Sequence, residues 1–218
     1  MNALRSAPPA LDPSLRRVTL ALAALSVIIV AVLGARYANE DAMSHLDRRL
    51  DNALDHIPAG RGGLAMVVIS FGGPATIAFL TAVLAVVCVA AGRRRLALVA
   101  IVGTLLTGAA TTLIKPIVGR TFVNGGLAFP SGHTGGTTAV ALVTMLLLVS
   151  VLRLRPPWNA LVVIGGTLVA GVTMAVSLTV GFFHYATDTI GGFCTAVAVV
   201  TVVAWLVDLF AERPIHPQ

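Results

Sequence analysis

Apolar residues fall in six long blocks along the chain, at roughly 17–36, 66–91, 96–114, 132–152, 158–180 and 187–210. A helix needs about 20 apolar residues to cross a bilayer, so blocks of this length predict membrane-spanning helices. The second block contains Gly72-Gly73-Pro74, and Pro74 suits a first helical turn, so its helix is expected to begin there. The first block has no clear small-residue cleavage site and is long enough to span, which makes it a retained anchor rather than a signal peptide. Between the first two blocks the pattern changes. Met43, Leu46, Leu50, Leu54 and Ile57 recur at three- and four-residue steps. That predicts an amphipathic helix over about 40–57, lying on the membrane surface. A plain connector is the favoured reading of it, and a lid or a rim past which lipid passes is the sharper one. The predicted architecture is all-α and polytopic: six transmembrane helices with an outer-face amphipathic helix. Residues 1–16 form an N-terminal segment, 17–212 the membrane domain with its core over about 96–210, and 213–218 a tail.

Composition agrees with lipid as the solvent. The 218 residues are 57% hydrophobic and only 11% charged, against about 25% charged in a soluble domain. The net charge of +6 does not indicate nucleic acid, because the arginines are spread between apolar blocks rather than gathered on one surface. Cys88 and Cys194 lie inside predicted spans and read as small packing residues, with nothing beside them to support a redox thiol.

Charge does set the orientation. With six spans, nine basic residues fall on the side of the termini and six on the other. The short turns around Arg93–Arg95 and Arg153–Arg155 carry no acids, the setting in which the positive-inside rule works best. Both termini, 1–16 and 213–218, are therefore expected in the cytoplasm. A composition rich in Ala, Val and Arg points to a GC-rich bacterial genome, hence to a bacterial inner membrane. Three polar clusters then converge at the extracytoplasmic face.

Lys115, the chain's only lysine, ends the third span. It is either a snorkelling helix-end residue or a fixed cation for an anion. Arg120 follows beyond Pro116, which is expected to bend the chain into a loop, and a second cation there favours the anion site. Ser131 is a natural N-cap for the fourth span. The helix start behind it offers free N–H groups to a phosphate, Gly132 permits close approach, and His133 can exchange a proton. His184 and Asp188 stand four residues apart. On a formed helix they share a face, so the carboxylate can fix one ring nitrogen and aim the other outward. Two histidines and a carboxylate would also serve zinc or iron. Lys115 and Arg120 in the same place argue against a divalent ion, and no metal or other cofactor is expected.

Lys115, then Pro130-Ser131-Gly132-His133, then His184-x-x-x-Asp188 resemble the type 2 phosphatidic acid phosphatase family, relatives of the vanadium haloperoxidases. The resemblance covers about residues 64–210. Pro-Ser-Gly-His alone is a weak match, and the three motifs together on one face are a specific one. Ser177 also matches. Phe122, Val123 and Leu178 stand where the family pattern has arginine, proline and arginine. The resemblance implies a metal-independent membrane lipid phosphatase whose partners are a lipid phosphate and the surrounding lipids. His184 would form a phosphohistidine, Asp188 would hold its ring, and His133 would protonate the leaving alkoxide. Lys115, Arg120, Ser131 and Gly132 would surround the phosphate. Phosphatidic acid, phosphatidylglycerol phosphate and polyprenyl (di)phosphates are the candidate substrates. A lipid phosphotransferase using the same residues is one alternative. A catalytically impaired lipid-phosphate-binding protein is another, favoured by Phe122 and Leu178 and opposed by the intact His133, His184 and Asp188. A transporter fits poorly, since the polar residues gather at one face rather than the midplane.

Overall fold

The computed structural model describes residues 2–54, 56, 63–123 and 125–212. Local signals start and stop most of its helices. After a short α1 (Asn2–Arg5), Asp12 caps α2 (Pro13–Arg36) by accepting from the Ser14 N–H at 2.8 Å, with Pro13 at the first helical position. Ser44 and Asp47 form a reciprocal capping box that begins α3 (His45–Leu54). Next come α4 (Leu64–Phe71) and α5 (Pro74–Ala90), then α6 (Arg94–Val118), α7 (Gly132–Leu152), α8 (Trp158–Val180) and α9 (Ala186–Glu212). Among the described residues there is no strand, only an isolated bridge between Thr121 and Leu127.

Five of these helices are long and apolar enough to cross a membrane, and the α4–α5 pair, bent by 61°, brings the number to six when it is taken as one broken span. Large apolar side chains such as Val27, Leu105 and Val169 point outward, as lipid-facing helices require. The protein is thus a multi-pass, all-α membrane protein. α9 runs through the middle, packed on α2, α6 and α7. Leu96 and Val99 of α6, Val143 and Leu146 of α7 and Val200 of α9 form the core between them.

Three sequence expectations are corrected. The second span does not simply begin at Pro74, because α4 precedes it and the Gly72-Gly73 break turns the chain sharply. Pro116 does not end α6: the helix continues through it to Val118 and stops at Gly119, whose φ of 66° suits a glycine cap. A proline two residues from a helix end disturbs only the last turn of the ladder, which explains its tolerance. The amphipathic helix is shorter than 40–57, and Ile57 lies outside the described residues. Its Leu46 and Leu50 are exposed while Asp47 is buried, so it presents its apolar stripe outward and one carboxylate inward. Apart from these corrections, the N-terminal segment is docked on the bundle. The Ala10 and Leu11 N–H groups donate to the buried Asp208 carboxylate at 2.8 and 3.0 Å, and Arg95 pairs with the same carboxylate at 3.2 Å.

Candidate functional site

The three polar clusters meet at one end of the bundle. The Ser131 N–H donates to the Asp188 carbonyl at 2.9 Å, which ties the start of α7 to the first turn of α9. A Cβ on Gly192 would collide with the Ser131 carbonyl, and one on Gly191 with the Phe129 ring. The paired glycines in "DTIGG" are therefore what lets the two helix starts touch. The Lys115 ammonium at the end of α6 donates to the Leu127 carbonyl at 2.6 Å and the Ala128 carbonyl at 3.3 Å, pinning the loop that leads into Pro130. One of its three donors remains for another acceptor. Lys115 and His184 both lie within electrostatic reach of His133.

Ser131 caps α7: its buried hydroxyl accepts from the Thr134 N–H at 3.4 Å and the Thr134 hydroxyl at 3.3 Å. The Gly132 and His133 N–H groups ahead of that bond have no intrahelical partner and stand at the positive end of a 21-residue helix. Only Thr111 Oγ1, at 3.8 Å, comes near the space a Gly132 side chain would fill, so a bulky anion can reach the backbone.

His184 and Asp188 are brought together, but not on a helix. His184 sits in the turn before α9, whose first helical residue is Ala186. Asp188 Oδ2 accepts from the Tyr185 N–H at 3.1 Å, a capping contact that folds the first turn back toward His184. His184 Nδ1 lies 3.6 Å from the same oxygen, buried and without a hydrogen-bond partner. The ring thus stands beside the carboxylate, just beyond hydrogen-bond distance.

Arg120 departs from its expected role. It is fully buried, its Nη1 donates to Asp188 Oδ1 and Thr187 Oγ1, both at 2.7 Å, and its Nη2 donates to Asp47 Oδ2 at 2.6 Å. Tyr37 and Tyr185 cover the guanidinium, their ring centroids 4.4 and 4.6 Å from it. Asp47 in turn accepts from the Thr187 N–H at 2.9 Å and its hydroxyl at 2.8 Å. Burial alone would raise the Asp47 carboxyl, but the donors from Ser44, Thr187 and Arg120 outweigh it and hold the group below its ordinary value. Arg120 is therefore a clamp between α3 and α9, and a guanidinium so enclosed does not face a phosphate. The plain-connector reading of the amphipathic helix fails with it, since α3 delivers Asp47 to this network.

Phe122 packs on Tyr185, their ring centroids 4.6 Å apart. Leu178 is wholly buried with Ile69 and Met174 between α4 and α8. Neither position carries a substitute charge. The broken span was missed as part of the site. A Cβ on Gly72 would stand 3.1 Å from the His133 ring and 2.8 Å from Met174, so the α4–α5 break packs on the histidine. The Gly-Gly-Pro sequence was the available signal. From there a cleft of about 690 Å³ opens between α5, α6 and α7. Gly132 and His133 lie at its polar end, and Ile77, Ala82, Ile101 and Leu105 are among its apolar walls. Among the described residues, no three His, Cys, Asp or Glu side chains are grouped to hold a metal ion.

No family model matches the sequence, and no curated protein matches it either. The fold does match. The crystal structure of a transmembrane PAP2-type phosphatidylglycerolphosphate phosphatase from Bacillus subtilis superposes with a TM-score of 0.66 at 18% identity, covering 87% of this chain and 96% of that one. Nine helices among the described residues, bent at the α4–α5 break, thus give this chain the fold of that PAP2-type phosphatase.

Proposed function

We propose that the protein is a membrane phosphatase acting on a lipid phosphate. The observation that carries the reading is the juxtaposition of His184, 3.6 Å from a buried Asp188, with the open N-terminus of α7 and His133 at the end of an apolar cleft. The cleft accommodates an acyl or prenyl tail while the phosphate rests on the Gly132 and His133 N–H groups and the remaining Lys115 donor. His184 Nε2 attacks phosphorus in line as the lipid alkoxide leaves with a proton from His133. Asp188 stabilises the imidazolium that results. Water, deprotonated by His133, then cleaves the phosphohistidine and releases phosphate. Positioning and fixed dipoles suffice for this chemistry, so it requires no metal. Ser131 contributes through the helix start it caps, and Arg120 through Asp188. The positive-inside count supports an extracytoplasmic site in a bacterial inner membrane.

The test is phosphate release from phosphatidylglycerol phosphate, phosphatidic acid and polyprenyl diphosphate by purified protein in chelator. Release by the wild type and none by His184→Ala is the expected result. Activity that survives His184→Ala refutes the nucleophile.

One observation favours a second reading, a lipid-phosphate-binding protein. With Arg120 clamped and Phe122 and Leu178 apolar, Lys115 is the one basic side chain described here that stands at the α7 start free of an acidic partner. Each missing charge-assisted bond removes about 1.5–3 kcal/mol from phosphate binding. Lipid-phosphate binding with no turnover, unchanged by His184→Ala, would establish that reading instead.

A further inference from the structure

A second polar site is built at the end of the bundle opposite the histidines. The chain between α1 and α2, the α5–α6 turn and the α7–α8 turn enclose a cavity of about 320 Å³. Arg93, Arg153 and Arg155 line it, and Asp12 is the one acid among its lining residues. Asp12 Oδ1 is already engaged as the α2 cap. None of the three arginines forms an ion pair among the described residues. Arg93 Nη2 donates to the Ser150 carbonyl at 2.7 Å, and its Nε is buried without a partner.

The walls are held in place by side-chain bonds between distant segments. Asp208, paired with Arg95, fixes the Ala10 and Leu11 N–H groups, and Asn159 Nδ2 at the start of α8 donates to Ser14 Oγ at 2.8 Å. Pro8, Pro9 and Pro156 stiffen the rim. Three guanidiniums gathered in one cavity repel one another unless an anion joins them, and their forks match phosphate oxygens. The cavity's depth indicates the source of that anion. Trp158, largely exposed at the start of α8, marks the headgroup level where such residues anchor a membrane protein.

We propose that this cavity binds the phosphate headgroup of an anionic phospholipid from the leaflet at that end. The 21 residues of α7 separate it from His133 by about 30 Å, so it is not part of the histidine site. Basic pockets between helix ends are suited to such headgroups.

The test compares wild type with the Arg153→Gln/Arg155→Gln double variant, both full length, in phosphatidylcholine nanodiscs with and without phosphatidylglycerol. Co-purifying lipid is counted by native mass spectrometry. Both arginines are exposed, so folding is preserved, and phosphate release in neutral detergent is expected to stay at the wild-type rate, which separates this proposal from the phosphatase reading. Phosphatidylglycerol retention is expected to fall about 25-fold, a factor of about five for each charge removed. A second arm offers inorganic phosphate to both proteins in phosphatidylcholine alone and reads thermal stability. Stabilisation of the wild type over the variant by inorganic phosphate, without selective lipid retention, overturns the lipid source and leaves a soluble anion. Equal lipid retention and equal phosphate response in the two proteins overturn the site.

Discussion

Arg120 stands between two buried carboxylates, and removing it is the sharpest test of the clamp. In Arg120→Met, Asp47 and Asp188 lose the cation that each contacts at 2.6–2.7 Å. Stripping one partner from a buried ion pair costs about 3–5 kcal/mol. For a chain of this length each kcal/mol lowers Tm by about 2–4 °C, so a fall of about 6–20 °C is expected. Thermal unfolding in detergent, followed by tryptophan fluorescence, measures it. Asp47→Asn keeps an acceptor for Thr187 and should cost less, and the double variant less than the sum of the two, because the second change removes the charge that the first left stranded. kcat should fall in both single variants, since Asp188 loses its fixed position. A phosphate ligand behaves differently: KM would rise about 10–100-fold for a lost bond of about 1.5–3 kcal/mol. Tm would then barely move, and Asp47→Asn would leave KM alone. That pattern would refute the clamp.

Four further outcomes follow from the same geometry. The folded Asp47 carboxyl titrates below its ordinary value of 3.8, so its contribution is complete above about that pH and is lost as pH falls through the depressed value. An acid Tm series should therefore be flatter in Asp47→Asn than in wild type. Gly192→Ala drives a methyl group into the Ser131 carbonyl and should lower both Tm and phosphate release. Gly72→Ala meets the flexible end of Met174 and the His133 ring, and kinetic assays should find kcat reduced several-fold with little change in Tm. Leu178→Arg buries a charge among Ile69 and Met174, so thermal melts should show destabilisation, and a gain in rate at unchanged Tm would contradict the packing described.

Much of the fold was legible in one dimension because its causes are one-dimensional. Apolar blocks of spanning length and the Ser131 cap act on the residues beside them. For that reason the six spans and the start of α7 fall near their expected positions. The candidate residues His133, His184, Asp188 and Lys115 were legible as polar residue types in an apolar chain, His184 and Asp188 also by their four-residue spacing. What charge alone leaves open is its partner. Arg120 reads as a phosphate ligand until Asp47, 73 positions away, occupies one of its nitrogens, and two tyrosines close over it. Gly72 reads as punctuation until α7 brings His133 against it. Sequence by itself determined which segments enter the membrane and which residues can do chemistry, since hydrophobicity and functional groups belong to each residue. Only the tertiary structure decided which charges neutralise one another and which face the cleft, because ion pairing and burial arise between segments that the chain order keeps far apart.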